Sequence, residues 1–336
     1  MMRIVDKLGR PIRDLRLSVT DRCNFRCRYC MPKEIFHDDF PFLTSDQLLS
    51  FAEMRRLVEQ FVQLGVTKVR ITGGEPLLRK NLPDFIEEVA TIQGIDDVAL
   101  TTNGVLLAKY AEALKRAGLK RVNVSLDSLD ERTFAVMNGR GFPVKPILEG
   151  IEVAQEVGLE VKVNMVVIKG VNDDEILSMA RYFREKRITL RFIEFMDVGN
   201  TNGWKRDDVV FADEIIEILA KNFPLSPVTR RNDGEVAKRY RYVDSDVDVG
   251  LITSVSNPFC TTCTRVRVSA DGKMYTCLFA TKGEDLKPIL RYGTERELRE
   301  RLISVWTNRA DRYSEERFER AKRDDGIKVE MHRIGG

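Results

Sequence analysis

Two hydrophobic rhythms alternate over residues 12–196. Short runs rich in β-branched and apolar residues at 15–20, 66–72, 98–102, 121–127, 161–168 and 190–195 are bounded by turn residues and predict strands. Between them apolar residues recur at helical spacing. One such stretch opens at Ser50 with Glu53 three residues on, a capping-box pattern. It runs through FAEMRRLVEQFVQL and stops at Gly65. Further helices are expected at 82–90, 108–116, 146–156 and 174–185. Six βα units in series predict an α/β fold on a parallel sheet, open or curled into part of a barrel. In such folds the chemistry sits at the C-terminal ends of the strands.

Beyond residue 196 the rhythm changes, which places a domain boundary there: 1–196 and 197–336. Residues 197–208 (DVGNTNGWKRDD) read as a loop and 212–221 as a helix. Strands are expected at 238–243 and 250–256. Two more, 265–269 and 273–278, flank Asp271-Gly272, which predicts a two-residue hairpin turn. Charged helices are expected over 294–322, and the closing MHRIGG reads as a flexible tail.

Several strands carry an unusual second face. Successive strand residues point to opposite sides, so Lys68, Arg70 and Thr72 share one face while Val69 and Ile71 share the other. Lys162 with Asn164, Arg16 with Ser18, Asn123 with Ser125, and Arg191 repeat the pattern. A sheet covered on both sides normally reads as continuous Val, Ile and Leu, and unpaired buried charge is costly. With no matching acids expected on those faces, the cations predict a wet cavity that holds an anion.

Composition narrows the class. The chain has 336 residues, which suits about two domains, with 43% apolar and 32% charged residues, as in ordinary soluble proteins. No segment approaches the roughly 18 apolar residues of a membrane span, and the start shows no signal peptide. Reduced thiols in that setting predict a cytoplasmic protein. A net charge of +3 implies no broad basic field and no nucleic-acid partner. Charge is uneven, however: residues 1–33 hold nine Lys and Arg against three Asp.

The six cysteines fall in two groups of three, Cys23, Cys27 and Cys30 as C-x3-C-x2-C, and Cys260, Cys263 and Cys277 as C-x2-C-x13-C. Disulfide pairing within a group leaves one thiol over. A structural zinc site wants four ligands, and only His37 and His332 are available to supply more. Three thiolates can hold three corners of a four-iron cluster and leave one iron open to substrate. The first group lies just past the first strand, where chemistry is expected.

Cys23-Asn-Phe-Arg-Cys27-Arg-Tyr-Cys30 resembles the C-x3-C-x-aromatic-C motif of radical S-adenosylmethionine enzymes, and Gly73-Gly74-Glu75-Pro76 is similar to their second signature. The C-terminal triad, the interleaved Arg265 and Arg267, and the terminal Gly335-Gly336 narrow the resemblance to the GTP 3′,8-cyclase family of molybdenum cofactor biosynthesis. It extends through LRLSVTDRC, KVRITGGEPLL, TTNG, VNVSLDSL, IKGVNDDEI, RFIEFMDVGN and CTRVRVSADGKMYTCLF.

This resemblance implies an incomplete (β/α)6 TIM-type barrel closed by a C-terminal domain with a second cluster. It implies two 4Fe-4S clusters, one on each triad, and S-adenosylmethionine chelated by the open iron of the first, in a pocket including Tyr29, Gly74, Ser125 and Met196. A 5′-deoxyadenosyl radical would take hydrogen from C3′ of the GTP ribose. The resulting radical would add to guanine C8, giving (8S)-3′,8-cyclo-7,8-dihydroguanosine 5′-triphosphate. The family pattern assigns Arg16, Arg70, Thr101, Lys162, Arg265, Val266 and Arg267 to GTP, with Lys68 and Arg191 as further candidates. Arg16, Gly335 and Gly336 are implied to be catalytic, the tail entering the active site. Implied partners are GTP, a flavodoxin- or ferredoxin-like one-electron reductase, and cyclic pyranopterin monophosphate synthase as recipient of the product. The protein would act as a monomer or homodimer, away from membranes. A peptide-modifying radical maturase is the nearest rival and usually carries more C-terminal cysteines. A zinc-stapled nucleic-acid binder is the rival of another class.

Overall fold

All six strands expected before residue 196 form in the computed structural model of the protein, which describes residues 4–229, 234–320 and 326–335. In chain order the elements are β1 (Asp14–Ser18), α1 (Phe51–Gln63), β2 (Lys68–Thr72), α2 (Leu82–Ala90), β3 (Asp97–Thr102), α3 (Leu107–Arg116), β4 (Arg121–Ser125), α4 (Glu131–Asn138), α5 (Lys145–Glu156), β5 (Glu160–Val167), α6 (Ile176–Glu185) and β6 (Thr189–Glu194). The predicted cap of α1 is present in full: Glu53 N–H donates to Ser50 Oγ at 3.2 Å, and Ser50 N–H to Glu53 Oε2 at 2.7 Å. Hydrophobic periodicity did not predict α4. It buries only Phe134, Met137 and Asn138, too few for a pattern, and is held instead by the Asp130 carboxylate capping Arg132 and Thr133 N–H.

The second half adds α7 (Ala212–Ala220), β7 (Leu225–Val228), β8 (Lys238–Tyr242), β9 (Asp248–Ile252), β10 (Arg265–Val268), β11 (Lys273–Tyr275), β12 (Glu284–Asp285), α8 (Lys287–Tyr292), α9 (Glu295–Thr307), α10 (Tyr313–Arg320) and α11 (Met331–Ile334). Among the described residues the strands form one sheet in the order β12-β11-β10-β1-β2-β3-β4-β5-β6-β9-β8-β7. Strands β1 to β6 are parallel. β10 joins β1 in parallel, and β9 joins β6 likewise. The expected partial barrel is thus extended from both edges by the C-terminal half. It stays open, with β12 and β7 as its margins.

The helices cover one face of this curved sheet. Leu15, Leu17, Val69, Ile71, Val163 and Met165 point into a core with Leu57, Phe61, Phe85, Leu107, Leu114 and Ile147, all buried. Each such side chain contributes about 1.5–3 kcal/mol by leaving water. The other face is lined by the polar residues of the same strands and encloses a cavity of about 580 Å³.

Two local expectations are corrected. The β10–β11 turn is not a two-residue loop: Ser269–Gly272 close it, with Gly272 N–H donating to Ser269 O at 3.0 Å and Ser269 N–H to Lys273 O at 2.9 Å. The Ser269 hydroxyl bonds the Asp271 carboxylate and receives Lys273 N–H, which makes the longer turn self-supporting. Nor are residues 331–335 a frayed tail. Met331–Ile334 form a short helix, and His332, Ile334 and Gly335 are buried. Gly336 lies outside the described residues.

Candidate functional site

The parallel register stacks charge in rungs across the cavity face. One rung reads Arg265, Asp14, Lys68, Asp97, alternating in sign from strand to strand. Two residues further along, the next reads Arg267, Arg16, Arg70, Ala99, Arg121, Glu160. Three neighbouring strands therefore present a guanidinium at one level. None of these three is ion-paired among the described residues.

The mutual strain shows in their proton affinities. Burial, then Arg267 and Arg70, lowers Arg16 well below the ordinary guanidinium range. Burial and then Arg121 bring Arg70 to about 10. Burial and then Arg265 bring Arg267 to about 9, and burial followed by Arg70 brings Arg191 to about 9. An anion relieves this crowding; a neutral ligand does not.

The expectation that these faces carry no acids is corrected. Lys162 Nζ pairs with Glu160 at 2.8 Å, and Arg121 pairs with Asp97. Asp14, Asp97 and Glu160 are each the first residue of their strand, so alternation brings them onto the cavity face at its floor. The unpaired Arg267, Arg16 and Arg70 sit two residues beyond the level of Asp14 and Asp97, and share Glu160's level from three or more strands away.

Both cysteine triads face this cavity. Cys23, Cys27 and Cys30 lie at one part of its wall and Cys260, Cys263 and Cys277 at another, all free thiols and half-buried. Among the described residues no three His, Cys, Asp or Glu side chains converge as the ligands of a single metal ion do. Each triad supplies three thiolates, the donor set of a four-iron cluster with one open iron and one short of the four ligands of a structural zinc. Donors are aimed at the sulfurs as well. Phe25 N–H lies 3.4 Å and the Asn103 amide 3.9 Å from Cys23 Sγ, and the Arg265 guanidinium 3.3 Å from Cys263 Sγ. Burial and then Glu75 push the Cys23 thiol up to about 12. Cys263 is also raised by burial, but Arg265 and Arg309 outweigh this and bring it down to about 6.

Around the first triad the segment 20–22 packs tightly on the loop after β2. Gly74 N–H donates to Thr20 O at 2.9 Å, and a Cβ at Gly74 would stand 2.3 Å from Arg22 O. Glycine is needed there so that the two loops can touch. Two carboxylates that the sequence reading gave no role line this end. Glu75 receives Thr102 Oγ1 and Asn103 N–H, each at 2.7 Å, and burial raises it to about 7. Asp127 receives Tyr29 OH and Val166 N–H, each at 2.9 Å, and burial raises it to about 6. The available signal was their position, each just past a strand end. Ser125 and Met196 also line the cavity.

Around the second triad, Arg10 Nη1 donates to Cys260 O at 2.7 Å and Arg309 Nη1 to Cys263 O at 2.8 Å. Both arginines pair with buried Asp6. This clamp was also missed, because Arg309 lies some 300 residues from Asp6 and Arg10.

Arg16, Arg70, Thr101, Lys162, Arg265 and Arg267 all line the cavity. Lys68 and Arg191 do too, Arg191 bonded to Asn123. Val266 is placed differently: its side chain is buried in the core cluster on the other face of β10. Gly335 reaches the ends of β2 and β10, where a Cβ would stand 2.2 Å from Thr72 Cγ2. Its carbonyl accepts from Arg267 Nη1.

Comparison with known proteins agrees with this arrangement. Residues 17–183 match the Radical SAM superfamily and residues 188–315 match Molybdenum Cofactor Synthesis C. The chain is 53% identical over 337 residues to a GTP 3′,8-cyclase of Staphylococcus haemolyticus and 54% to one of Staphylococcus saprophyticus, in each case across 99% of both chains. The fold is shared with Streptococcus suis SuiB, solved bound to S-adenosylmethionine, at 14% identity and a TM-score of 0.63, over 88% of this chain and 66% of that one. Two cysteine triads on one cation-lined cavity, in a chain this similar to those cyclases from end to end, place the protein in the GTP 3′,8-cyclase family of the radical SAM superfamily.

Proposed function

We propose that this protein converts GTP to the 3′,8-cyclised nucleotide that opens molybdenum cofactor biosynthesis. The observation that carries the reading is the single cavity with a cysteine triad at each end and the unpaired Arg267–Arg16–Arg70 rung between them. When bound, a four-iron cluster on the first triad together with S-adenosylmethionine supplies a carbon-centred radical able to take hydrogen from the ribose.

The chain's residues set where that happens. Tyr29, Gly74, Ser125 and Met196 border the cofactor, with Glu75 and Asp127 as acceptors for its amino and hydroxyl groups. Arg16, Arg70 and Lys162 hold the triphosphate, and Thr101 lies 3.5 Å from Arg70 Nη1. Charge-assisted contacts of this kind contribute roughly 1.5–3 kcal/mol each. Arg265, Arg267 and the Val266 backbone fix the nucleoside against the second triad, where Cys260, Cys263 and Cys277 would hold a cluster that would supply a binding position for the guanine. Gly335 stands beside the reacting ribose, and the terminal glycines take part in the reaction.

In this reading residues 1–196 generate the radical and 197–336 bear the second cluster. A flavodoxin- or ferredoxin-like reductase supplies the electron in the cytoplasm, and the product passes to cyclic pyranopterin monophosphate synthase. No helix among the described residues is long and apolar enough to cross a membrane. Anaerobic incubation with S-adenosylmethionine, dithionite and GTP tests the proposal, and the expected product is the cyclised triphosphate. Cleavage of S-adenosylmethionine with GTP recovered unchanged refutes it.

A further inference from the structure

Residues 328–335 run beside the cavity: Met331 lines it, and Gly335 meets Thr72 and Arg267, which line it too. Met331 packs on the apolar cluster of Tyr29, Met137, Ile168 and Phe195, against which Cys27 and Cys30 also lie. Four residues on, Gly335 rests on Thr72. How far the segment enters is fixed by a carboxylate. Glu330 Oε1 accepts Asn200 N–H at 3.0 Å and the Asn200 amide at 3.2 Å, and Oε2 accepts the Thr201 hydroxyl at 3.1 Å. Gly199 lies beneath it at φ +65°, where a Cβ would stand 2.1 Å from Oε2. Asn200 also grips the segment directly. Its Oδ1 accepts Lys328 N–H at 3.0 Å and its amide donates to Lys328 O at 2.5 Å. The loop that receives all this follows Met196, whose carbonyl accepts from the Asn202 amide at 2.8 Å.

We propose that Glu330 is a positioning residue for cyclisation. Its carboxylate keys the terminal segment to the Gly199–Thr201 loop, so that Gly335 enters the cavity in register with the Met196 side of the cofactor pocket. The proposal rests on the reading that the terminal glycines take part in the reaction. Glu330 touches neither substrate nor reacting atoms; it acts through the segment it holds.

The test uses the full chain, reconstituted anaerobically with both clusters. Glu330→Ala removes every acceptor of the key and is expected to cut cyclised product at least about tenfold. Iron content and thermal midpoint should stay at wild-type values, while limited proteolysis should release the terminal residues faster. Glu330→Gln keeps an amide oxygen for Asn200 N–H and is expected to restore most of the rate. Gly199→Ala drives a methyl group into the carboxylate and should match Glu330→Ala, with the double variant no worse than either single one. Deletion of residues 335 and 336 is the reference. If that deletion is inactive but Glu330→Ala cyclises GTP at the wild-type rate, the key is refuted and the role of the tail stands. If the deletion is fully active, the underlying reading fails and the proposal fails with it. Equal damage from Glu330→Gln and Glu330→Ala would make the negative charge of Glu330, and not the key, the operative feature.

Discussion

Arg70 stands next to Arg16 on one side and, two strands away at the same level, Arg121 on the other, with no carboxylate paired to it. Its affinity for a proton is lowered because folding buries it, and secondarily because it faces other cations. The folded, nucleotide-free protein therefore gains nothing from this charge. Arg70→Ala is expected to leave the thermal midpoint without GTP unchanged or slightly higher, and to abolish most of the upward shift that GTP produces. Affinity for GTP should fall about tenfold to a hundredfold; calorimetric titration beside thermal unfolding checks both signs. His332 is a base lowered by burial in the same sense, and its ordinary pKa lies where pH is easily varied. It is buried with Nδ1 unpartnered, its ring set edge-on to Phe36 at 4.8 Å, and burial followed by Arg333 and Arg26 lowers its pKa from 6.5 to about 3. Above pH 6.5 it is neutral whether the segment is docked or released. Below that value the released form takes up a proton and the docked form does not. Docking should weaken as pH falls from 6.5 towards 3, by up to about 1.4 kcal/mol per unit. Exchange protection of the terminal amides, measured at pH 7 and pH 5, should show the loss in the wild type and not in His332→Phe.

The short helix α11 delivers Gly335 at φ +71° onto Thr72. Gly335→Val puts a branched side chain where a Cβ alone would stand 2.2 Å from Thr72 Cγ2. Product formation should fall steeply while iron content and thermal midpoint hold, since the segment adds little to the core. The sequence read this stretch as flexible because Met-His-Arg-Ile-Gly-Gly offers no period and only two large apolar residues. What orders it is tertiary: the aromatic bed of Phe36, Phe40 and Phe42 under His332, and the Glu330 key. The same division holds elsewhere. Helices such as α1 and α2 were legible because their apolar faces are regular, and α1 because its capping box is local as well. The cavity face was legible because Lys68, Arg70, Lys162 and Arg191 interrupt the continuous apolar run expected of a sheet buried on both faces. Helix α4, the longer β10–β11 turn and the Asp6–Arg10–Arg309 clamp were not, because each depends on a few hydrogen bonds or on partners far along the chain. The strand-floor acids were visible in the sequence but could not be matched to their cations without the register, which places Glu160 on the level of Arg16 and Arg70.

With both triads in one cavity but on separate loops, each should load independently. Anaerobic reconstitution should give about eight iron per chain. Replacing Cys23, Cys27 and Cys30 by Ala should leave about four and end cleavage of S-adenosylmethionine. Replacing Cys260, Cys263 and Cys277 should also leave about four but retain some cleavage. Full iron content in the first triple variant would show that the first triad holds no cluster. The two loops nevertheless depend on one sheet, since β1 feeds the first triad, β10 follows Cys263, and the two strands lie side by side. That adjacency sets a timetable for synthesis. The outer edge of β1 has no neighbour until β10 has been made, some 250 residues later. At roughly 5–20 residues per second this is on the order of ten to fifty seconds of translation. For that interval the growing polypeptide presents a bare strand edge, the usual template for aggregation. Asp14 and Arg16 alternate along it, and charges so placed discourage pairing with other nascent chains. A fragment ending at residue 196 should therefore stay soluble poorly, and more poorly still with Asp14→Val and Arg16→Val. Arg16, which lines the cavity of the folded protein, would first serve as a gatekeeper on the ribosome.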